Sequence, residues 1–260
     1  MMDPAHSRAT EDESANYMMS VSDIMSALLF VFIITLMAFV LNFQQAHSEL
    51  EDTLGRYTGL EDLRERMLKE IERELEARNI EVAVDYKQGV LRLDERAIRF
   101  ESSKSELQGP AAENARLIAA VLNSVLPCYT ALSKAKASAL NCRSETLNTL
   151  ESVFVEGHTD NVPMLRNGED HNWDLSAQRA IRTYREFLVA ESGLASLFNT
   201  RNQPVFSVTG YGDSRPVPGH EYEKPTSDPR NRRIDLRFIM ETPDSSSPQV
   251  LQKVSAESDE

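Results

Sequence analysis

Hydrophobic positions along this chain change period repeatedly, and each change predicts a new element. Residues 22–43, SDIMSALLFVFIITLMAFVLNF, are almost unbroken apolar, and their length matches the roughly 20 residues that cross a bilayer as a helix. Met18, Met19 and Val21 extend the run upstream, and Tyr17 stands where an interfacial aromatic belongs, so a span is predicted over residues 17–43. Beyond it, Leu50, Leu54, Tyr57, Leu60, Leu63, Met67, Ile71 and Leu75 recur at steps of three and four through a charged stretch. That spacing predicts a helical stalk over residues 44–79, softened at Gly55 and Gly59. An isolated apolar stripe must be covered by something. Two copies side by side, a homodimer, is the expected solution, with packing against the chain's own domain as the alternative.

From Ile80 the period falls to two. Val82, Val84 and Tyr86 alternate with polar residues, Gln88-Gly89 turns the chain, and residues 90–93 form a second extended piece. Gly109-Pro110 then opens a helix with Ala111, Ala115, Ile118, Leu122 and Val125 on one face. Residues 127–148 read as an insertion holding both cysteines. Residues 152–156 form a buried strand that runs into Gly157-His158-Thr159-Asp160. The next helix has Asn172 as its expected N-cap and Ala177, Ile181, Tyr184 and Leu188 as its apolar face. Strands follow over residues 205–209 and 234–240, the last with Ile234, Leu236, Phe238 and Met240 inward. The fold class is therefore α+β: one N-terminal span, a stalk, and over residues 80–241 a sandwich of helices on one face of a small mixed sheet. Residues 1–16 and the acidic residues 242–260 are expected to be disordered.

Composition narrows the partners. The 260 residues carry 28 basic and 41 acidic side chains, a formal charge of −13, which argues against nucleic acid because phosphate binding needs clustered Lys and Arg. The span does not read as a cleaved signal: residues 1–20 hold Arg8 against Asp3, Glu11, Asp12 and Glu13, whereas a signal's n-region is basic. No cofactor motif or metal-ligand set is legible, and Cys128 and Cys142 lack zinc spacing. One acid, Asp23, lies just inside the span, roughly 9 Å from a helix start near Tyr17 at 1.5 Å per residue. At that depth its charge loses hydration, as in an ion-carrying residue. A helix-start residue among lipid headgroups fits the position equally well.

Three pieces of the domain carry candidate chemistry. They are Gly157-His158-Thr159-Asp160, Asn172-Trp173-Asp174-Leu175-Ser176-Ala177-Gln178-Arg179-Ala180, and Asn231-Arg232-Arg233-Ile234-Asp235. Asp160 and Arg179 together suit a zwitterion, the acid accepting from an ammonium and the guanidinium gripping a carboxylate. Free N–H groups at the start of the helix add donors. Residue types alone would also be satisfied by a plain Asp160–Arg179 salt bridge.

The order and contexts of these pieces resemble the OmpA-like peptidoglycan-binding domain over roughly residues 80–240. The resemblance implies that Asp160 and Arg179 hold the diaminopimelate of a peptide stem, with Thr159, Asn172, Asn231 and Arg232 lining the same groove. The Asn-Trp before Arg179 is closer to the motor-stator branch typified by MotB. Residues 22–28, SDIMSAL, are similar to the stretch around the proton-carrying Asp of flagellar stator B subunits, which implies that role for Asp23. The family further implies a bacterial inner-membrane, single-pass protein with its N-terminus cytoplasmic and its domain periplasmic. In that oxidising compartment a Cys128–Cys142 disulfide is expected. Its partners would be peptidoglycan, the lipid bilayer, and a ring of MotA-like or ZorA-like membrane subunits around two copies. An acidic tail in place of a basic one, with a longer stalk, is more like the B subunit of the Zorya anti-phage system than a flagellar stator. A passive wall tether is the first rival reading. A wall-acting enzyme is the second, and it lacks both a zinc set and a nucleophile–base pair, His158 being the lone candidate base.

Overall fold

The computed structural model describes residues 5–101 and 104–242, with backbone alone for residues 5–21. Its contacts divide the chain into two units, Met1–Arg56 and Tyr57–Glu260. The first unit is helical: α1 runs Ala5–Glu76 and continues into the second. Neither Pro nor Gly occurs between Ala5 and Leu54, so nothing along this stretch stops the helix. Residues 5–16, expected to be disordered, are accordingly helical backbone, while residues 1–4 and 243–260 lie outside the described residues. Among the described side chains of the span, the apolar ones, such as Leu29, Phe30 and Phe39, are exposed. Among the described residues α1 is the one helix long and apolar enough to cross a membrane. A bilayer accommodates such a surface because a helix satisfies its own backbone groups.

In the second unit β1 (Ala83–Asp85) and β2 (Val90–Leu93) form a hairpin closed at Gly89, where φ is 69°. α2 (Pro110–Val125) starts on Pro110 as expected, and a 3₁₀ turn, Leu126–Tyr129, leads to α3 (Lys134–Ala139). Then follow β3 (Leu150–Gly157), a small hairpin of β4 (Leu165–Arg166) and β5 (Glu169–Asp170), α4 (Asn172–Ala190), β6 (Phe206–Gly210) and β7 (Ile234–Met240). The main sheet has the order β1-β2-β7-β3-β6, with β3 and β6 parallel and every other pair antiparallel. This is the mixed-sheet α+β architecture that the pattern predicts. Ile234, Leu236, Phe238 and Met240 are all buried, as are Val153 and Val155 of the neighbouring strand. Cys128 and Cys142 are joined, with Cα atoms 5.2 Å apart, and Thr146 Oγ1 donates to the Cys128 carbonyl at 2.8 Å to close the insertion.

Two expectations are corrected. The apolar stripe of the stalk is not a single surface: Leu63, Met67, Ile71 and Leu75 are buried in the domain core, together with Leu68. The domain therefore begins inside α1, near Tyr57, rather than at residue 80. Met67 and Leu68 side by side make the face too broad for a two-helix seam and wide enough for a globular core. Arg64 Nη2 donates to the Lys87 carbonyl at 2.9 Å, and the Tyr86 hydroxyl donates to Glu72, tying this part of α1 to the β1–β2 hairpin. Only Leu50, Leu54 and Tyr57 of the stripe are exposed.

The buried face of α4 also differs. It comprises Leu175, Ser176, Arg179, Ala180, Thr183 and Phe187, whereas Ile181 is exposed. The reason is close approach. A Cβ on Gly157 would lie 2.0 Å from the Ser176 carbonyl oxygen, and one on Gly210 would lie 2.5 Å from the Ala177 nitrogen. Where the helix rests backbone-on-backbone, at Ser176 and Ala177, only small side chains fit.

Placing α1 in the core has a measurable consequence. Ile71→Ala empties a fully buried site and is expected to cost about 2–5 kcal/mol of domain stability. Leu50→Ala, at an exposed position, is expected to shift it by less than about 0.5 kcal/mol. Thermal melts followed by the single Trp, Trp173, read the domain alone; equal effects of the two substitutions would contradict this boundary.

Candidate functional site

Backbone registry brings the three sequence pieces together. Gly157 at the end of β3 pairs with Ile234 at the start of β7, so the chain leaving β3 through His158 and Asp160 lies beside the chain entering β7 through Arg232 and Arg233. The Thr159 amide donates to the Gly212 carbonyl at 2.8 Å, anchoring this loop to the segment after β6. The first turn of α4 is seated on Gly157 and Gly210. Ser176 Oγ accepts from the Gly212 amide at 2.9 Å. α4 begins at Asn172 with His171 as N-cap, so Asn172 is not the cap. Its amide instead donates to the Val162 carbonyl at 3.0 Å, fastening the helix start to the 158–163 loop.

Thr159, Asp160, Asn172, Arg179 and Arg232 line a single cavity of about 780 Å³. Asp160 and Arg179 do not form a salt bridge with each other. Asp160 Oδ2 accepts from Arg232 Nη1 at 2.6 Å, and Arg232 Nε reaches Glu95 Oε1 at 2.7 Å. Burial lowers the Arg232 pKa, but the hydrogen bonds to Glu95 and Asp160 outweigh it and hold the group above its ordinary value. Arg179 is 2% exposed and makes no ion pair with a carboxylate among the described residues, Asp160 and Glu95 acting on it only through space. Its Nε donates to the Lys104 carbonyl at 3.0 Å and its Nη2 to the Glu101 carbonyl at 3.2 Å, with the Phe100 ring 5.1 Å away. Desolvation, then the Arg232 charge, pulls it down to about 10. It remains a cation at neutral pH, held in place by neutral oxygens and unneutralised. Thr159 Oγ1 is buried with no hydrogen-bond partner among the described residues.

Asn231 does not line this cavity. Its Oδ1 accepts from the Val217 amide at 2.8 Å and its Nδ2 donates to the His220 carbonyl at 2.9 Å, so both ends of the amide are used in bracing the 217–231 loop. Glu95, Phe100 and the Glu101 and Lys104 carbonyls are parts of the site that sequence reasoning missed. No spacing signals them, because they come from the irregular chain between β2 and α2.

Behind the cavity, on the sheet face opposite the core, Glu156 and Asp235 stand directly across from each other. Arg237 holds Glu156 with two bonds of 2.8 and 2.9 Å, and Arg233 holds Asp235 with two of 3.0 and 3.1 Å. His158 lies against Asp235 at 3.4 Å and stacks on Tyr211. These acids and His158 converge as metal ligands would, but the two guanidiniums already occupy the carboxylates. Burial, and then the charges of Arg233 and Arg92, drive the His158 pKa down to about 2. His158 is thus a neutral, packed ring, which removes it as a general base working near neutral pH.

Residues 129–232 match the model of the OmpA family. Motility protein B of Bacillus subtilis (strain 168) is 29% identical over 93 residues, covering 36% of this chain and 32% of that protein; the chain thus spans about a third of that relative's length. Among solved structures, a MotB-like protein from Desulfovibrio vulgaris is similar at 22% identity and a TM-score of 0.44, covering 70% of this chain and 97% of that one. The periplasmic domain of Helicobacter pylori MotB is similar at 15% identity and 0.39, covering 65% and 84%. The cell wall anchor of the T6SS from Pseudomonas aeruginosa is similar at 18% and 0.41, covering 68% and 98%.

The neutral His158 makes stability depend on pH with a definite sign. Its folded pKa lies below the ordinary value near 6.5, so the unfolded chain takes up a proton first as pH falls. Stability is therefore full above pH 6.5 and declines below it, by up to about 1.4 kcal/mol per pH unit. His158→Phe, which keeps a ring against Tyr211, is expected to flatten the decline between pH 6.5 and 5. Melts of the two proteins with unchanged slopes would place the titration elsewhere.

Proposed function

We propose that this chain is the wall-anchored, ion-carrying subunit of a stator-like inner-membrane motor, its domain binding the peptide stem of peptidoglycan. The observation that carries the reading is Arg179: a buried guanidinium on a cavity wall, rigidly held by carbonyls and without an ion pair to any carboxylate among the described residues. Desolvating a cation without a counter-ion is unfavourable unless a ligand supplies one. A diaminopimelate carboxylate would do so, with its ammonium sharing Asp160 with Arg232 and Thr159 Oγ1 offering a further polar contact. The match to the OmpA family over residues 129–232 and the similarity to Motility protein B support the same assignment.

In this reading α1 crosses the inner membrane once, with the domain on the periplasmic side, where the Cys128–Cys142 bond is stable. Asp23 lies inside the apolar stretch and relays ions between the two sides while MotA-like or ZorA-like subunits surround two copies. Each proton crossing 100 mV supplies about 2.3 kcal/mol, so several are needed for one mechanical step. The acidic residues 11–13 favour a Zorya-type defence motor over a flagellar one. The longer stalk no longer adds to that preference, because residues 57–76 belong to the domain.

Three substitutions test the two halves. Asp160→Ala or Arg179→Ala is expected to weaken retention of the protein on purified sacculi, each leaving a ligand charge unmatched at a cost of about 2–5 kcal/mol. Unchanged retention in both would move the binding site elsewhere. Asp23→Asn keeps size and polarity but cannot cycle a charge, and is expected to abolish phage protection, or swimming, at normal expression. A fully active Asn variant would leave the chain a passive tether.

A further inference from the structure

The cavity is larger than one amino-acid side chain needs, and its charges are unevenly matched. Every acid on its wall has a basic partner within the domain. Glu95 and Asp160 share Arg232, Glu101 pairs with Lys104, and Glu106 pairs with Arg182 at 3.2 Å. Of the cations on the wall, Arg96 is held by Asp94 and Glu81, which leaves Arg179 and Arg99 without a carboxylate. Arg99 is exposed, lines the same cavity, and makes no hydrogen bond or ion pair among the described residues. The charge of Arg99 acts on Glu101, which is already engaged by Lys104. Its place is also constrained, because the next residue, Phe100, is 7% exposed with its ring against Arg179, and Glu101 accepts from Arg179. The stretch that locks Arg179 thus presents Arg99 at the same opening.

We infer that Arg99 is a second carboxylate receptor, so that the cavity selects a peptide presenting two free carboxylates beside its ammonium and discriminates against stems in which one of them is amidated. The inference rests on the peptide-stem reading of the site. A planar fork meets a carboxylate bidentately, while an amide returns only one acceptor. The position carries no structural duty that a substitution would disturb.

The test uses the full chain in detergent micelles and isothermal titration with a synthetic stem tetrapeptide, L-Ala–γ-D-Glu–diaminopimelate–D-Ala. Three forms are compared: all carboxylates free, the glutamyl carboxylate amidated, and the C-terminal carboxylate amidated. The wild type is expected to bind one of the monoamides about tenfold more weakly than the free peptide, the scale of one charge-assisted bond. Arg99→Gln is expected to bind the free peptide about tenfold more weakly and to treat that monoamide and the free peptide alike. Arg99→Lys is expected to recover part of the loss. Arg99→Gln binding the free peptide as the wild type does would overturn the inference, and so would an equal loss for all three peptides with a wild type indifferent to amidation. A wild type that binds none of the peptides would overturn the peptide-stem reading itself, a different result from either of these.

Discussion

The close seating of α4 on the sheet is the constraint from which the site follows. Gly157 and Gly210, at the ends of two parallel strands, leave room for the helix backbone where any Cβ would collide with Ser176 or Ala177. That contact fixes the height and rotation of the first turns. Three residues beyond Ser176, Arg179 then lies under the chain between β2 and α2, bonded to the Glu101 and Lys104 carbonyls. Asn172, four residues before Ser176, meets the loop leaving β3. A looser helix would still bury Phe187, but it would not hold a guanidinium against two carbonyls.

Charge is handled differently on the two sides of the strand ends. Toward the sheet face, buried acids and arginines neutralise each other in pairs, and His158 stays uncharged because it is buried and because a further cation would face Arg233, Arg92 and Arg215. Breaking one such buried pair leaves an uncompensated charge, so this network fixes geometry more than it adds stability. Toward the cavity, compensation is incomplete: Arg232 is clamped by two acids and Arg179 by none. A domain can tolerate that imbalance on the wall of an open cavity.

The helix that leaves the apolar span serves two environments. Its exposed apolar residues up to Phe43 need lipid, and from Leu63 to Leu75 it supplies a wall of the domain core. Between them the exposed surface is mostly polar or charged, with Gly55 and Gly59 in positions where nothing packs within 4 Å. Each glycine weakens the helix by about 1 kcal/mol relative to alanine, which makes this the stretch where α1 most easily bends.

The elements whose signal is local were legible in the sequence. The span rests on an apolar run, α2 on Gly109-Pro110 and its periodic Ala, Ile, Leu and Val, and β7 on strict alternation from Ile234 to Met240; in each, neighbouring residues alone decide the conformation. The grouping of Thr159, Asp160, Asn172, Arg179 and Arg232 was legible only as three motifs whose meeting had to be supplied by resemblance. Tertiary structure decided what depends on partners distant in sequence. It sent the lower half of the stalk stripe into the domain core, because periodicity records that a face is apolar and not what covers it. It exposed Ile181 and buried Ser176, because closeness of approach depends on glycines at the ends of two other strands. It paired Asp160 with Arg232 rather than Arg179 and turned Asn231 into a loop brace, because a side chain's partner is set by where two strand ends come together in space.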